Sequence, residues 1–405
     1  MNILYVSSLY PPSIGGAQLQ LHCLARAMGE AGEDVHVLTY TARNREDWLR
    51  LATVRTEPET HYEHEGVPVT RIGLPLSTRL RMAPWAAAYY PLITTAGRRI
   101  ARLTRPHVAR LAGNPDVVHL TRIGREFIAR ACLEFARARG IPFILTPNHH
   151  PRWRGWRYAE YDRIYRESDA LIVYTEAEKE TVVRDIGVAP DRVQVTGVGP
   201  LVSDDYDVDA FRRRADLPGP YVLFLGQQYK YKGMAALLDA APAVWQRYPD
   251  LRFVFIGPHT AYSRELFANV NDPRVINLGA VPPEQKAAAL AGCEFLCMPS
   301  TQESFGGVYI EAWCFKKAVI GGDIPPIACV IDHGENGLLC AQRGDALAAA
   351  MLELLGDVRR RGRMGEKGWE KVRAKYSWAQ LARQTREIYH RVIAAGSRGK
   401  EKEQP

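Results

Sequence analysis

Short apolar runs alternate with helix-period stretches along almost the whole chain, and this alternation limits the fold more than any other feature. "NILYVSS", "DVHVLTY", "DVVHL", "PFILTP" and "ALIVYT" come first, followed by "YVLFLG", "LRFVFIG", "RVINLG", "EFLCMP" and "AVIGG". Each run is apolar at consecutive positions, so both faces of the strand it forms must be covered. A parallel sheet with helices on both sides does this. Between the runs, Ala17, Leu21, Leu24 and Met28 recur at helical spacing, as do Leu237, Leu238, Ala241 and Trp245. The order is βαβα twice over, which predicts an α/β protein of two doubly wound domains. At 405 residues the chain exceeds what one ordinary core holds.

The boundary between the domains is expected in "GPLVSDDYDVDAFRRRADLPGP", residues 199–220, which is rich in Gly, Pro and charge and precedes a fresh strand. This divides the chain into an N-terminal domain over 1–200, a linker over 201–219 and a C-terminal domain over 220–377. A last helix over 378–395 keeps Trp378, Leu381, Ile388 and Val392 in register, and a polar, flexible tail fills 396–405. Within the linker, Asp205, Asp207 and Asp209 alternate like a cation-binding motif, but the glycine and distal glutamate of a calcium loop are missing. They read as a solvated linker, and no metal site is expected.

No apolar run approaches the roughly 18 residues of a membrane span, and the first residues lack the basic-then-apolar order of a signal peptide, so a cytoplasmic location is expected. Seven scattered cysteines without a Cys-x-x-Cys pair read as reduced, mostly buried thiols. A net charge of +8 favours an anionic partner without saying which.

The stretch "QESFGGVYIEAW" sets Glu303 and Glu311 on either side of a Phe-Gly-Gly core. On one continuous helix the two carboxylates would stand roughly 80° apart at about 100° per residue, neither opposed nor in line. Paired glycines make a helix start near Gly307 or Val308 the better expectation. Glu303 then precedes a helix N-terminus and Glu311 lies about one turn inside, where free N–H groups and two carboxylates suit an anionic, hydroxyl-rich ligand. The plain alternative is that Glu303 caps the helix and Glu311 is solvated. Near the N-terminus, Gly15-Gly16 opens a helix after the first strand and lets backbone approach a phosphate; it is not the G-x-G-x-x-G fingerprint, which speaks against a nicotinamide enzyme.

"ESFGGVYIEAWCFKKAVIGGDIP…HGENGLL" closely resembles the donor-site signature of the large retaining glycosyltransferase family four, whose GT-B architecture has two facing nucleotide-binding-like domains with a cleft between them. The opening strand, Gly-Gly loop and helix, the segment "GQQYKYKGMAALLDA" and the closing "YSWAQLARQTREIY" resemble the same family in the right order, so the likeness covers nearly the whole chain. It implies an acceptor-side first domain, a donor-binding second domain and a last helix that crosses back to the first. It also implies a nucleotide-diphosphate sugar as donor substrate, no cofactor, no metal, and transfer to an acceptor hydroxyl, with a glycan or lipid-linked sugar as acceptor. Position by position, Glu303 matches the carboxylate that binds the transferred sugar and Glu311 the one that grips the ribose. Backbone N–H groups around Phe305, Gly306 and Gly307 would hold sugar and distal phosphate, and Lys232 matches the lysine that neutralises the diphosphate.

Two departures stand out. The family commonly has Gly-Arg ahead of the lysine, where this chain has Gly226-Gln227, with Lys230 the candidate replacement cation. Where the family often shows Thr-Pro-His beside the reacting sugar, "LTPNHHPRW" places Asn148, followed by His149 and His150, which makes Asn148 and His149 candidate sugar-side residues. Either His150 takes the catalytic role from a shifted position or the adjacent His, Pro and Trp pack a loop.

Competing readings are a nucleotide-sugar epimerase of the same fold, separated by product analysis with and without acceptor, and a basic nucleic-acid-binding module, for which no zinc finger, RNA-recognition signature or helix-turn-helix is present. Nucleic acid is therefore not expected as a partner. Residues 71–115 hold eight arginines and no Asp or Glu. In "RRIARLTRPHVARL", Arg98, Arg99, Arg102, Arg105 and Arg110 cluster opposite Ile100, Leu103, Val108 and Leu111, with Pro106 making two short helices as good an expectation as one. Two readings stand: an apolar side packed on the domain with solvated arginines, or peripheral attachment to the anionic inner membrane face.

Overall fold

A computed structural model describes residues 1–12, 15–41, 58–122, 126–149 and 155–402. Contacts divide the chain into two compact units, residues 1–197 with 378–405, and residues 198–377.

The first unit is built on an eight-stranded sheet of β1 (Asn2–Ser7), β2 (Asp34–Thr39), β3 (Thr60–His64), β4 (Val67–Arg71), β5 (Val117–Thr121), β6 (Phe143–Thr146), β7 (Ala170–Val173) and β8 (Val193–Val195), in the order β3-β4-β2-β1-β5-β6-β7-β8. Every neighbouring pair is parallel except the edge hairpin β3–β4. Strand β1 shows why its sequence is apolar throughout: Ile3 and Tyr5 enter one core cluster and Leu4 and Val6 another, one on each face of the sheet. The last helix, Trp378–Lys402, runs beyond the expected end at residue 395 and belongs to this unit, where Ala382, Ile388 and Tyr389 pack with Leu21 and Met28 of the helix Gly16–Glu30. It is also held by buried polar contacts: Tyr389 Oη lies 2.5 Å from His119 Nδ1 and donates to Tyr5 Oη at 3.1 Å.

The arginine-rich segment forms one continuous helix, Ile93–Leu111, with Pro106 inside it. Burial of Ile100, Ala101, Thr104 and Val108 offsets the hydrogen bond that proline removes. That burial corrects the expectation of a helix lying on a membrane by its apolar side, since that side is part of the core. Several of its arginines are paired: Arg98 with Glu160 at 3.3 Å, Arg105 with Glu134 at 4.0 Å, and Arg110 with Glu59.

The second unit carries a six-stranded, wholly parallel sheet: β9 (Tyr221–Leu225), β10 (Arg252–Ile256), β11 (Val275–Gly279), β12 (Phe295–Met298), β13 (Val319–Gly322) and β14 (Gly337–Cys340), in the order β11-β10-β9-β12-β13-β14. The stretch expected as a solvated linker contributes to this unit. Asp207 caps the helix Val208–Arg214 by accepting from the Ala210 N–H at 2.9 Å, Phe211 is buried, and Arg212 donates to the Gly292 carbonyl. The alternating aspartates are therefore capping and surface groups. All seven cysteines are free thiols, Cys132, Cys293, Cys297 and Cys340 among them buried. Among the described residues, no helix is long and apolar enough to cross a membrane.

Candidate functional site

In the second unit, β12 ends at Met298 and the chain reaches the helix Gly307–Cys314 through a loop that carries Glu303. Gly306 caps this helix in the left-handed region (φ +86°), and a Cβ there would fall 2.3 Å from the Tyr309 ring, so glycine is required on two counts. No side chain caps the helix, and Glu311 is buried at 6% exposure. Both observations go against the plain reading of a capping Glu303 and a solvated Glu311. The helix is fixed from behind by Tyr309 Oη donating to the Met298 carbonyl and Trp313 Nε1 to the Asn336 carbonyl. Phe305 is buried with its ring edge-on to Tyr376.

Lys232 reaches this loop from the other side of the sheet centre. It ends a single tight turn, Lys230–Lys232, between β9 and the helix Met234–Trp245, and its Nζ pairs with Glu303 Oε1. Both side chains are 13% exposed, so the pair is shielded yet open on one side. Two residues hold the turn in place that sequence reading did not single out. Gln342 Nε2 donates to the carbonyls of Tyr231 (2.9 Å) and Pro299 (2.6 Å), linking both loops. Gln228, fully buried, accepts from His259 Nδ1 and donates to Asn277 Oδ1 at 2.7 Å. Gln227 and Lys230 are exposed on the same loop.

Glu311 is not free either. Lys286 Nζ lies 3.1 Å from its Oε2 and also donates to the Leu201 carbonyl. Burial pushes the Glu311 carboxyl above the usual carboxylate range, and the Lys286 ammonium pulls it partly back. The two glutamates of the motif therefore sit in different settings, each with its own lysine.

In the first unit, the predicted residues lie where parallel strands end. Gly15 precedes the helix Gly16–Glu30, and nothing stands within 4 Å of a Cβ placed on Gly16. Asn148 follows β6 in left-handed backbone, φ +51°. Four buried side-chain oxygens at these ends have no hydrogen-bond partner among the described residues: Gln18 Oε1, Thr39 Oγ1, Thr121 Oγ1 and Asn148 Oδ1. They belong to the ends of β2, β5 and β6 and the start of the first helix, the edge where open α/β sheets bind ligands. His149 departs from the sugar-side expectation. Its ring is buried against Tyr165, with Nδ1 3.3 Å from the phenol, which fits loop packing. His150 lies outside the described residues. The loop is pinned by Glu178, buried and invisible to sequence reading, which accepts from the His149 N–H at 2.9 Å and the Tyr174 N–H at 2.8 Å. Burial raises this carboxyl to about 7.

Two protein-family models match the chain: a glycosyl transferase 4-like domain over residues 15–199 and glycosyl transferases group 1 over residues 219–357. The chain is 30% identical over 244 residues to the D-inositol 3-phosphate glycosyltransferase of Corynebacterium glutamicum, covering 56% of this chain and 58% of that one. It is 33% identical over 209 residues to the phosphatidyl-myo-inositol mannosyltransferase of Mycobacterium tuberculosis, covering 49% and 55%. The matched region thus spans a little over half the length of these relatives. Among solved structures, Anabaena HepE in complex with UDP and glucose superposes with a TM-score of 0.69 at 16% identity, over 96% of this chain and 98% of that one, which makes the fold GT-B. With a matching model on each of its two units, this chain belongs to the group 1, 4-like glycosyl transferases.

Proposed function

We propose that the protein transfers a sugar, with retention, from a nucleotide-diphosphate sugar to an acceptor hydroxyl, with the second unit holding the donor and the first receiving the acceptor. The observation that carries this reading is the Lys232–Glu303 pair set before a helix N-terminus that no side chain caps, with Glu311 one turn inside. In the reaction, the Lys232 ammonium and the N–H groups around Phe305, Gly306 and Gly307 stabilise the diphosphate as it gathers charge on leaving, the task a divalent ion performs elsewhere. Glu303 accepts from hydroxyls of the transferred sugar and Glu311 from the ribose, while Gln227 and Lys230 border the phosphates. The departing phosphate oxygen takes the acceptor's proton on the face it leaves. The names of the relatives, both transferases, and a neighbour holding UDP and glucose support transfer over epimerisation.

The acceptor reading is a lipid-linked or glycan hydroxyl reached from an anionic membrane face. Its support is the helix Leu76–Ala87 and the turn after it: Leu76 and Leu80 are 64% and 63% exposed one helical turn apart, with Tyr90 and Leu92 about half exposed, all within the stretch that has arginines and no acid. One relative's name specifies a phosphatidyl-inositol.

A thermal-shift screen of nucleotides and nucleotide sugars, followed by product analysis with and without acceptor, tests the reaction. A donor at about 100 times its dissociation constant should stabilise by ~2.7 kcal/mol. Acceptor-dependent glycoside is the expected product; an isomerised nucleotide sugar formed without acceptor contradicts it. For the membrane, co-sedimentation should require anionic vesicles and fall when Leu76 and Leu80 become Ser; equal recovery with neutral vesicles contradicts it.

A further inference from the structure

On the first unit, away from the strand ends just described, the β3–β4 hairpin folds its turn against the helix Gly16–Glu30. Three side chains meet there, His22 from the helix and His64 and Glu65 from the turn, with their nitrogen and carboxylate donor atoms all within 4.8 Å of one another. His22 is 3% exposed; its Nδ1 lies 2.8 Å from Tyr10 Oη and its Nε2 3.2 Å from Glu65 Oε2. The His64 ring stands 4.8 Å from that of His22, centroid to centroid, and its nitrogens make no hydrogen bond among the described residues. Arg26 Nη1 donates to Glu65 Oε2 at 2.9 Å.

The backbone adds an independent observation. Glu65 and Gly66 are the two central residues of the hairpin turn, with φ +45° and +80°. Such turns take Asn, Asp or Gly at the first position, because a longer side chain in the left-handed region costs about 1–2 kcal/mol. A glutamate held there against that preference brings its carboxylate to two imidazoles, and residues strained in this way cluster at functional sites.

We propose that His22 Nε2, a ring nitrogen of His64 and the Glu65 carboxylate form a site for a borderline divalent cation, Zn²⁺ or one of like size and softness, that clips the edge hairpin to the first helix. Two nitrogens and one oxygen are a common zinc donor set, with water in the fourth position. Bonds of about 2.0–2.2 Å set tetrahedral donors about 3.4 Å apart; His22 Nε2 and Glu65 Oε2 already stand 3.2 Å apart, and any closing left falls to His64, whose donor atom lies within 4.8 Å of both. Tyr10 supplies the outer contact: with the metal on Nε2, His22 Nδ1–H donates to the Tyr10 oxygen and fixes the tautomer.

Titration of the chelator-treated full chain with Co²⁺ and with Zn²⁺ tests this. One equivalent should bind, Co²⁺ should give visible bands without thiolate-to-metal charge transfer, and Zn²⁺ should raise the melting temperature. His64→Ala and Glu65→Gln, both at the turn, should each weaken Zn²⁺ binding by about a hundredfold while leaving the far-ultraviolet circular dichroism unchanged. Absence of stoichiometric binding, thiolate bands that assign the metal to cysteine, or unchanged affinity in both variants would overturn the site.

Discussion

The two units place their polar groups in opposite states. Around the donor signature of the second unit, the key charges are already partnered: Lys232 with Glu303, and Lys286 with Glu311. At the strand ends of the first unit, four buried oxygens have no partner among the described residues. A paired site must exchange its internal contacts for those of the ligand, so its protein-protein contacts set a threshold that only a highly charged ligand crosses. An unpaired site has nothing to give up and gains from any donor that reaches it, since an unsatisfied buried acceptor costs about 1–3 kcal/mol until it is bonded. The contrast is what the proposed function asks for, a diphosphate in the second unit and an acceptor hydroxyl in the first.

Removing the charge that the diphosphate exchanges into is the strongest way to break this contrast. Lys232→Ala should lower turnover by on the order of 10²–10³ and raise the donor Michaelis constant, because the diphosphate is charged in the ground state and more so as it leaves. Added magnesium should recover part of that loss while leaving the wild type unchanged; a wild type strictly dependent on metal would contradict the role given to Lys232.

Glu311→Ala sharpens the comparison within the second unit. It should weaken donor binding by about 1.5–3 kcal/mol with turnover at saturation little changed, as loss of a buried charged contact predicts. Steady-state kinetics at saturating acceptor separates the two effects.

The smallest expected effect lies in the first unit. Glu178 has its carboxyl raised from 4.5 to about 7, so the folded chain keeps a proton after the unfolded chain has lost it. Its contribution to stability is fully present below pH 4.5 and is lost as pH rises toward 7. Denaturant unfolding at pH 5 and pH 8 should therefore show a larger decline for the wild type than for Glu178→Gln, and parallel declines would contradict it.

The same contrast explains what could be read from the sequence. The donor signature is local: Glu303, the Gly-Gly pair and Glu311 fall within a dozen residues, so the paired glycines point to a helix start near Gly307 or Val308, and the helix begins at Gly307. Lys286 and Gln342 come from elements 25 or more residues away from the groups they hold, as does Glu178 from the His149 N–H, and no local pattern announces them. Long apolar strands were legible because two buried faces demand them. The hairpin "THYEHEGVPVTR" was not, because an edge strand exposes one face and reads as polar, and β14, "GLLC", is too short to stand out. The linker misled for a similar reason: its charge is real, but Phe211 and an Asp207 cap suffice to fold it onto the second unit.

If two carboxylates of one motif read two halves of one ligand, calorimetric titration with a nucleoside diphosphate and with its sugar conjugate separates their roles. Glu311→Ala should weaken both ligands equally. Glu303→Gln should weaken only the sugar conjugate and should leave the bare diphosphate bound as tightly or more so, because Lys232 then has no internal partner to surrender. A Glu303→Gln variant that loses affinity for the bare diphosphate as much as for the conjugate would contradict the account.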